Sequence, residues 1–79
     1  MPTIKGVSGP YRLFFYSFDC NEPKHVHAQR DHRTCKFWID PVSLASNDGF
    51  SAQELNRIRS IVVEYREWIS EAWDEHCGE

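Results

Sequence analysis

The sequence is poor in the features that most often announce a function. No apolar run approaches the roughly 18 residues that cross a bilayer, and no charged and then apolar leader opens the chain, so neither a membrane span nor a secretory signal is expected. Glycine-rich phosphate loops, Ser/His/Asp or Cys/His nucleophile signatures and paired carboxylates are all missing, which leaves the common reaction motifs without support and implies no cofactor. Cysteine is scarce. Cys20, Cys35 and Cys77 are odd in number, widely spaced and without a C-x-x-C, and are expected to be free thiols in a reducing compartment, with the cytoplasm as the default location. Positive charge is not in excess either: the net charge is −3, which argues against general affinity for nucleic acid, because that affinity comes from neutralising phosphates.

What the chain does have is aromatic bulk. Its 79 residues make one domain, and a chain this short buries only about 60% of its unfolded surface. Three Trp, five Phe and three Tyr compensate by supplying large buried areas. Charge is unevenly placed: residues 1–50 hold six basic and five acidic side chains (+1), and 51–79 hold three and seven (−4).

The chain is organised around its last third. Ser51 and Glu54 make an S-x-x-E capping box, and Phe50 and Leu55 fall at the staple positions around it. Leu55, Ile58, Val62, Tyr65, Ile69, Ala72 and His76 recur at steps of three and four, a stripe widened by Ile61 and Trp68 on one flank and Trp73 on the other. The pattern predicts one helix over 51–77, with Gly78 near its C-cap. Such a rod would run about 40 Å and overhang the sheet. Its outer face carries Glu64, Glu67, Glu71, Asp74 and Glu75, either a solvated face or an acidic surface offered to a basic partner.

Ahead of the helix the chain reads as strands within 2–40 and a connector over 41–50. Pro2–Val7 reads as an edge strand and the aromatic segment Tyr11–Phe18 as a central one. Residues 25–30 and 33–40 alternate with period two and predict a hairpin turning at Asp31-His32. That register puts His25 opposite Trp38, His27 opposite Lys36 and Gln29 opposite Thr34 on one face, with Val26, Ala28, Cys35 and Phe37 on the other. Pro41–Asn47 reads as an extended or single-turn segment anchored by Val42 and Leu44, and Asn47-Asp48-Gly49 as the turn into the helix. The fold class is α+β: a three- to four-stranded antiparallel sheet packed on one long C-terminal helix.

Taken together, Met-Pro-Thr-Ile at the start, the aromatic strand, Pro23 with His25-Val26-His27, Lys36-Phe37-Trp38 before Asp40-Pro41-Val42, and Gly49-Phe50-Ser51 before a Trp-ending helix resemble a family of small bacterial proteins known as domain of unknown function 4160. Members often look like one half of a two-gene pair similar to toxin–antitoxin modules. The resemblance therefore implies a small partner protein encoded by a neighbouring gene, and RNA or DNA as a further partner. The family pattern has a second proline where Lys24 stands and a glycine in the turn where Asp31-His32 stands.

Three chemistries compete for the His/Trp/Lys face. An interaction module would use His25, Trp38, Arg12 and Gln29 as a binding surface for a partner or a second protomer. An RNA reader would stack bases on Trp38 and pair phosphates with Arg12 and Lys36, and a metal-independent ribonuclease would add His27 as general base with Lys36 or Arg12 stabilising phosphate charge. A zinc site would start from His25 and His27, which point to one side of a strand, and would need Cys20, His32 or Cys35 to complete it. The sequence favours the first, a non-enzymatic interaction module, with the RNA-cleaving toxin as runner-up.

Overall fold

The order of apolar side chains along the chain decides which segments can share a core. In a computed structural model that describes residues 3–4 and 9–78, four strands run as an antiparallel meander in sequence order: β1 (Arg12–Phe14), β2 (His25–Arg30), β3 (Arg33–Ile39) and β4 (Val42–Asp48). Two helices, α1 (Ala52–Glu64) and α2 (Arg66–Cys77), cover one face and complete an α+β domain. Leu13, Val26, Ala28, Cys35, Phe37 and Ile39 from the strands meet Ile58, Val62, Ile69 and Trp73 from the helices, all at most 3% exposed. At about 25 cal/mol per Å² of apolar surface, this continuous layer is the main stabilising term.

The β2–β3 hairpin has the register that the alternation predicts: His25 pairs with Trp38, Val26 with Phe37, His27 with Lys36 and Ala28 with Cys35. Its two-residue turn forces Asp31 to φ 57°, a conformation Asp tolerates better than most side chains. The second hairpin was not legible. Residues 42–48 are a full strand rather than a connector, pairing Ile39 with Val42 across Asp40-Pro41 and Thr34 with Asp48, with one irregularity opposite Lys36/Phe37. Val-Ser-Leu-Ala-Ser-Asn-Asp has little strand propensity and is largely exposed, as an edge strand held mainly by its ladder can be.

The aromatic segment also departs from expectation. Only Arg12–Phe14 is a strand, next to β2 alone among the named strands, with Thr3 bridging to Phe14 and Ile4 N–H donating to Leu13 O at 2.8 Å. The rest of the expected Pro2–Val7 strand lies outside the described residues. Phe15 to Phe18 leave the sheet, because Phe15 fits against Trp73 (ring centroids 5.0 Å apart) and the chain then turns at Asp19.

The helix begins as expected: Ser51 Oγ accepts the Glu54 N–H at 3.2 Å, and Phe50 is buried beneath. The reciprocal half of the capping box is diverted, since the Glu54 carboxylate accepts from Tyr11 OH at 3.1 Å and from Arg33 at 3.3 Å. Gly49, at φ 104°, has only 3.1 Å between an added Cβ and Arg33 Cγ, so glycine is required at this corner. The single rod is instead two helices meeting at Tyr65, whose backbone (φ −102°, ψ 16°) leaves the α region. The longest dimension of the molecule is 34 Å, short of the roughly 40 Å that an unbroken rod would need. No proline or glycine lies near the break; bending there lets Trp73 reach Phe15 and His25. Trp68, expected to widen the buried stripe, is left 46% exposed. Gly78 closes α2 in the left-handed conformation, its N–H donating to Asp74 O at 2.8 Å.

Cys20 and Cys77 are not free thiols. They form a disulfide with Cα atoms 5.6 Å apart, tying the 3-10 turn Asp19–Asn21 to the last turn of α2. Their separation of 57 residues hid this pairing from spacing arguments. Cys35 remains a free thiol, enclosed in the core, where burial raises its pKa to about 11.

Candidate functional site

Alternation along β2 puts His25 and His27 on the sheet face opposite Val26 and Ala28, as expected, with ring centroids 5.1 Å apart. That face is not open at this end. The segment leaving β1 folds back over it, and the 3-10 turn at Asp19–Asn21 lowers a carboxylate onto the two imidazoles. Asp19 Oδ2 lies 2.9 Å from His25 Nε2 and 3.5 Å from His27 Nε2, and accepts the Tyr16 N–H at 3.1 Å. Asp19 is 4% exposed and His25 is fully enclosed, its ring edge-on to Trp73 (4.9 Å) and Trp38 (5.6 Å).

His25 was expected on an accessible binding surface; the structure places it inside, because α2 brings Trp73 up against it. The ring Nδ1 lies 3.0 Å from the Pro23 carbonyl, which fixes Nδ1 as donor and turns Nε2 toward Asp19. His27 lies between Phe14, stacked at 5.3 Å, and Tyr16, edge-on at 4.9 Å. Its Nε2 is buried with no hydrogen-bond partner, since 3.5 Å to Asp19 is beyond good hydrogen-bond range and the carboxylate acts on it mainly as a charge.

The electrostatics follow from this enclosure. Burial, then the charge of His25 and more weakly that of Lys36, holds the His27 pKa below the ordinary value against the opposing pull of Asp19. For Asp19, burial pushes upward. The hydrogen bonds from His25 and Tyr16 and the charges of both histidines outweigh it and hold the carboxyl below its usual range.

The remaining residues of the expected surface separate from this cluster. Lys36 donates to Glu22 Oε1 at 2.8 Å while its ammonium lies 4.4 Å over the Trp38 ring, so each partly covers the other. Arg12 is exposed with its guanidinium over Phe14 at 4.8 Å, and Gln29, its register partner, is half-buried. Among the ligands considered for zinc, Cys20 is in the disulfide, Cys35 faces the opposite side of the sheet, and His32 is exposed in the distal turn. Asp19 is the residue that sequence reasoning missed. Nothing in a turn-forming Asp six positions before His25 signals that it folds back, and only the Tyr16–Asp19 turn supplies the geometry.

On the helix side, Glu64, Glu67, Glu71 and Glu75 are exposed, and Asp74 is paired with Lys24 at 2.6 Å. Two surface cavities of about 190 and 380 Å³ lie along α2, and neither is lined by the Asp19/His25/His27 cluster. No helix among the described residues is long and apolar enough to cross a membrane.

No curated protein and no solved structure matches the chain significantly. A family profile does, over residues 11–74, a span that holds all four strands, the cluster and nearly all of both helices. The chain belongs to the family described as Domain of unknown function (DUF4160).

Proposed function

We propose that this domain is a protein-interaction module, one component of a bacterial two-protein pair of the toxin–antitoxin type, acting in the cytoplasm. The observation that carries the reading is the outer face of the helices. Val63 is 56% and Trp68 46% exposed, and helical spacing places Glu64, Glu67 and Glu71 beside them. Among the described residues none of these three glutamates has an ion-pair partner. An aromatic anchor ringed by unpaired acids fits a small partner with a basic and apolar surface, because the rim charges steer association while the buried aromatic contributes most of the affinity. In a reducing cytoplasm the Cys20–Cys77 bridge would respond to redox conditions rather than persist.

The test is co-expression with the product of the neighbouring gene. A stable complex is expected, and Trp68→Ala or Glu67→Lys with Glu71→Lys should weaken it at least tenfold without changing the melting temperature. A complex indifferent to all three changes, or a chain that only associates with itself, contradicts the reading.

The RNA-cleaving alternative draws support from Arg12, Lys36 and Trp38 sharing one sheet face. It requires His27 as a base open to substrate, whereas His27 Nε2 is enclosed and Lys36 is engaged by Glu22. Growth arrest on expression alone, abolished by His27→Ala, would favour it over the interaction module.

A further inference from the structure

We propose that Asp19, His25 and His27 form a binding site for one divalent transition-metal ion of the zinc class. Asp19 Oδ2 is 2.9 Å from His25 Nε2 and 3.5 Å from His27 Nε2, and one ligand atom from each residue lies within 4.8 Å of the other two. Ligands held about 2.0–2.1 Å from a zinc-like ion are separated by about 2.9–3.4 Å along the edges of octahedral or tetrahedral coordination. Two of the three edges are therefore near their final lengths, and the third, at most 4.8 Å, shortens on binding.

The protonation pattern points the same way. A metal-binding histidine usually donates its other ring N–H to a carbonyl or carboxylate, which fixes the tautomer and turns the free lone pair to the metal. His25 has this arrangement, with Nδ1 on the Pro23 carbonyl and Nε2 facing into the cluster. In the metal-free chain a proton on Nε2 makes the 2.9 Å hydrogen bond to Asp19, and a bound cation would take that proton's place between the two atoms. His27 supplies the independent observation. Its Nε2 is buried among Phe14, Tyr16 and His25, and nothing donates to it or accepts from it within hydrogen-bond geometry. A coordinate bond would satisfy it.

The chemistry of the set selects the ion. Two imidazoles with one carboxylate suit zinc, cobalt, nickel or iron(II), and not magnesium or calcium, which prefer all-oxygen shells. Three protein ligands leave at least one position for solvent or the second Asp19 oxygen. Tyr16, edge-on to the His27 ring at 4.9 Å, flanks the cluster. In the oxidised chain the Cys20–Cys77 bridge next to Asp19 ties the ligand-bearing turn to α2.

The test uses the full chain without an affinity tag, stripped with EDTA and titrated with Co²⁺ and then Zn²⁺. One equivalent of Co²⁺ should saturate a visible d–d band that Zn²⁺ abolishes. His27→Ala should weaken binding by more than the about 10–100-fold typical of losing a group behind the ligands. His32→Ala should change nothing. Because Asp19→Ala also removes the acceptor of the Tyr16 N–H and so disturbs the turn itself, ring ¹⁵N spectra of the unaltered chain provide a second reading: Zn²⁺ should shift Nε2 of His25 and His27 and leave His32 and His76 unmoved. Absence of a saturable one-to-one band, or a His27→Ala chain that binds cobalt as tightly as the parent, overturns the site and leaves a hydrogen-bonded Asp–His pair.

Discussion

Reducing the Cys20–Cys77 bridge should remove a large part of the domain's stability. The bridge spans 57 residues, most of the chain. In the loop-entropy treatment, releasing a loop of that length raises the entropy of the unfolded chain by about 14 cal/mol/K, or about 4 kcal/mol at room temperature. Small domains are stable by only about 5–15 kcal/mol, and about 1 kcal/mol moves the melting temperature of a domain this size by roughly 4–8 °C. The expected drop is therefore roughly 15–30 °C, an upper figure because strain and residual structure in the unfolded chain reduce such gains. Circular dichroism melts with and without a phosphine reductant measure it, alongside Cys20→Ser and Cys77→Ser. Both variants should melt where the reduced parent melts, and the reductant should then have no further effect. Thiol counting gives a parallel reading. The oxidised chain should show one thiol, Cys35, which reacts only after denaturation because it is 3% exposed and its pKa is raised to about 11. Three thiols in the air-oxidised protein, or coincident melts in both redox states, would refute the pairing and the placement of the Asp19 turn that depends on it.

Three further expectations concern packing, backbone and pH. Trp73→Ala removes an indole that is 2% exposed and packs on both Phe15 and His25, and it should cost about 3–5 kcal/mol in urea unfolding with a largely unchanged m-value. Gly49→Ala forces a side chain into φ 104° and against Arg33 Cγ, and should cost about 1–3 kcal/mol, whereas Gly9→Ala, strained likewise at φ 112° but without a neighbour to meet, should cost less. In metal-free protein, His27 and Asp19 both have depressed pKa values, so the unfolded chain binds more protons than the folded one. Their stabilisation is full above the unfolded values and is lost as pH falls, first below about 6.5 for His27 and then below about 3.9 for Asp19. Melts from pH 8 to 5 should show the first loss, and His27→Gln should flatten it.

Periodicity carried most of the architecture. The two-residue alternation of 25–30 and 33–39 determined the hairpin register, because slipping it by one residue would exchange Val26, Ala28, Cys35 and Phe37 for polar side chains in the core. The capping signals at Ser51 located the first helix for a similarly local reason. What stayed hidden was settled by tertiary contacts. Residues 42–48 become a strand because β3 offers an open edge, not because Ser43, Ser46 or Asn47 favour one. The helix breaks at Tyr65 without proline or glycine, and its second half turns to cover Phe15 and His25. The candidate site shows the same division: β-alternation paired His25 with His27, while Asp19 and the Cys20 bridge arrive through a turn whose closure depends on those contacts.

The account rests on the enclosure of His25 and His27, and ring-to-ring NOEs in solution test that most directly. Trp73 indole protons should show strong effects to the His25 ring, and Tyr16 ring protons to His27, since both pairs of centroids are 4.9 Å apart. Imidazoles that exchange freely with solvent and show no effect to Trp73 or Tyr16 would contradict it.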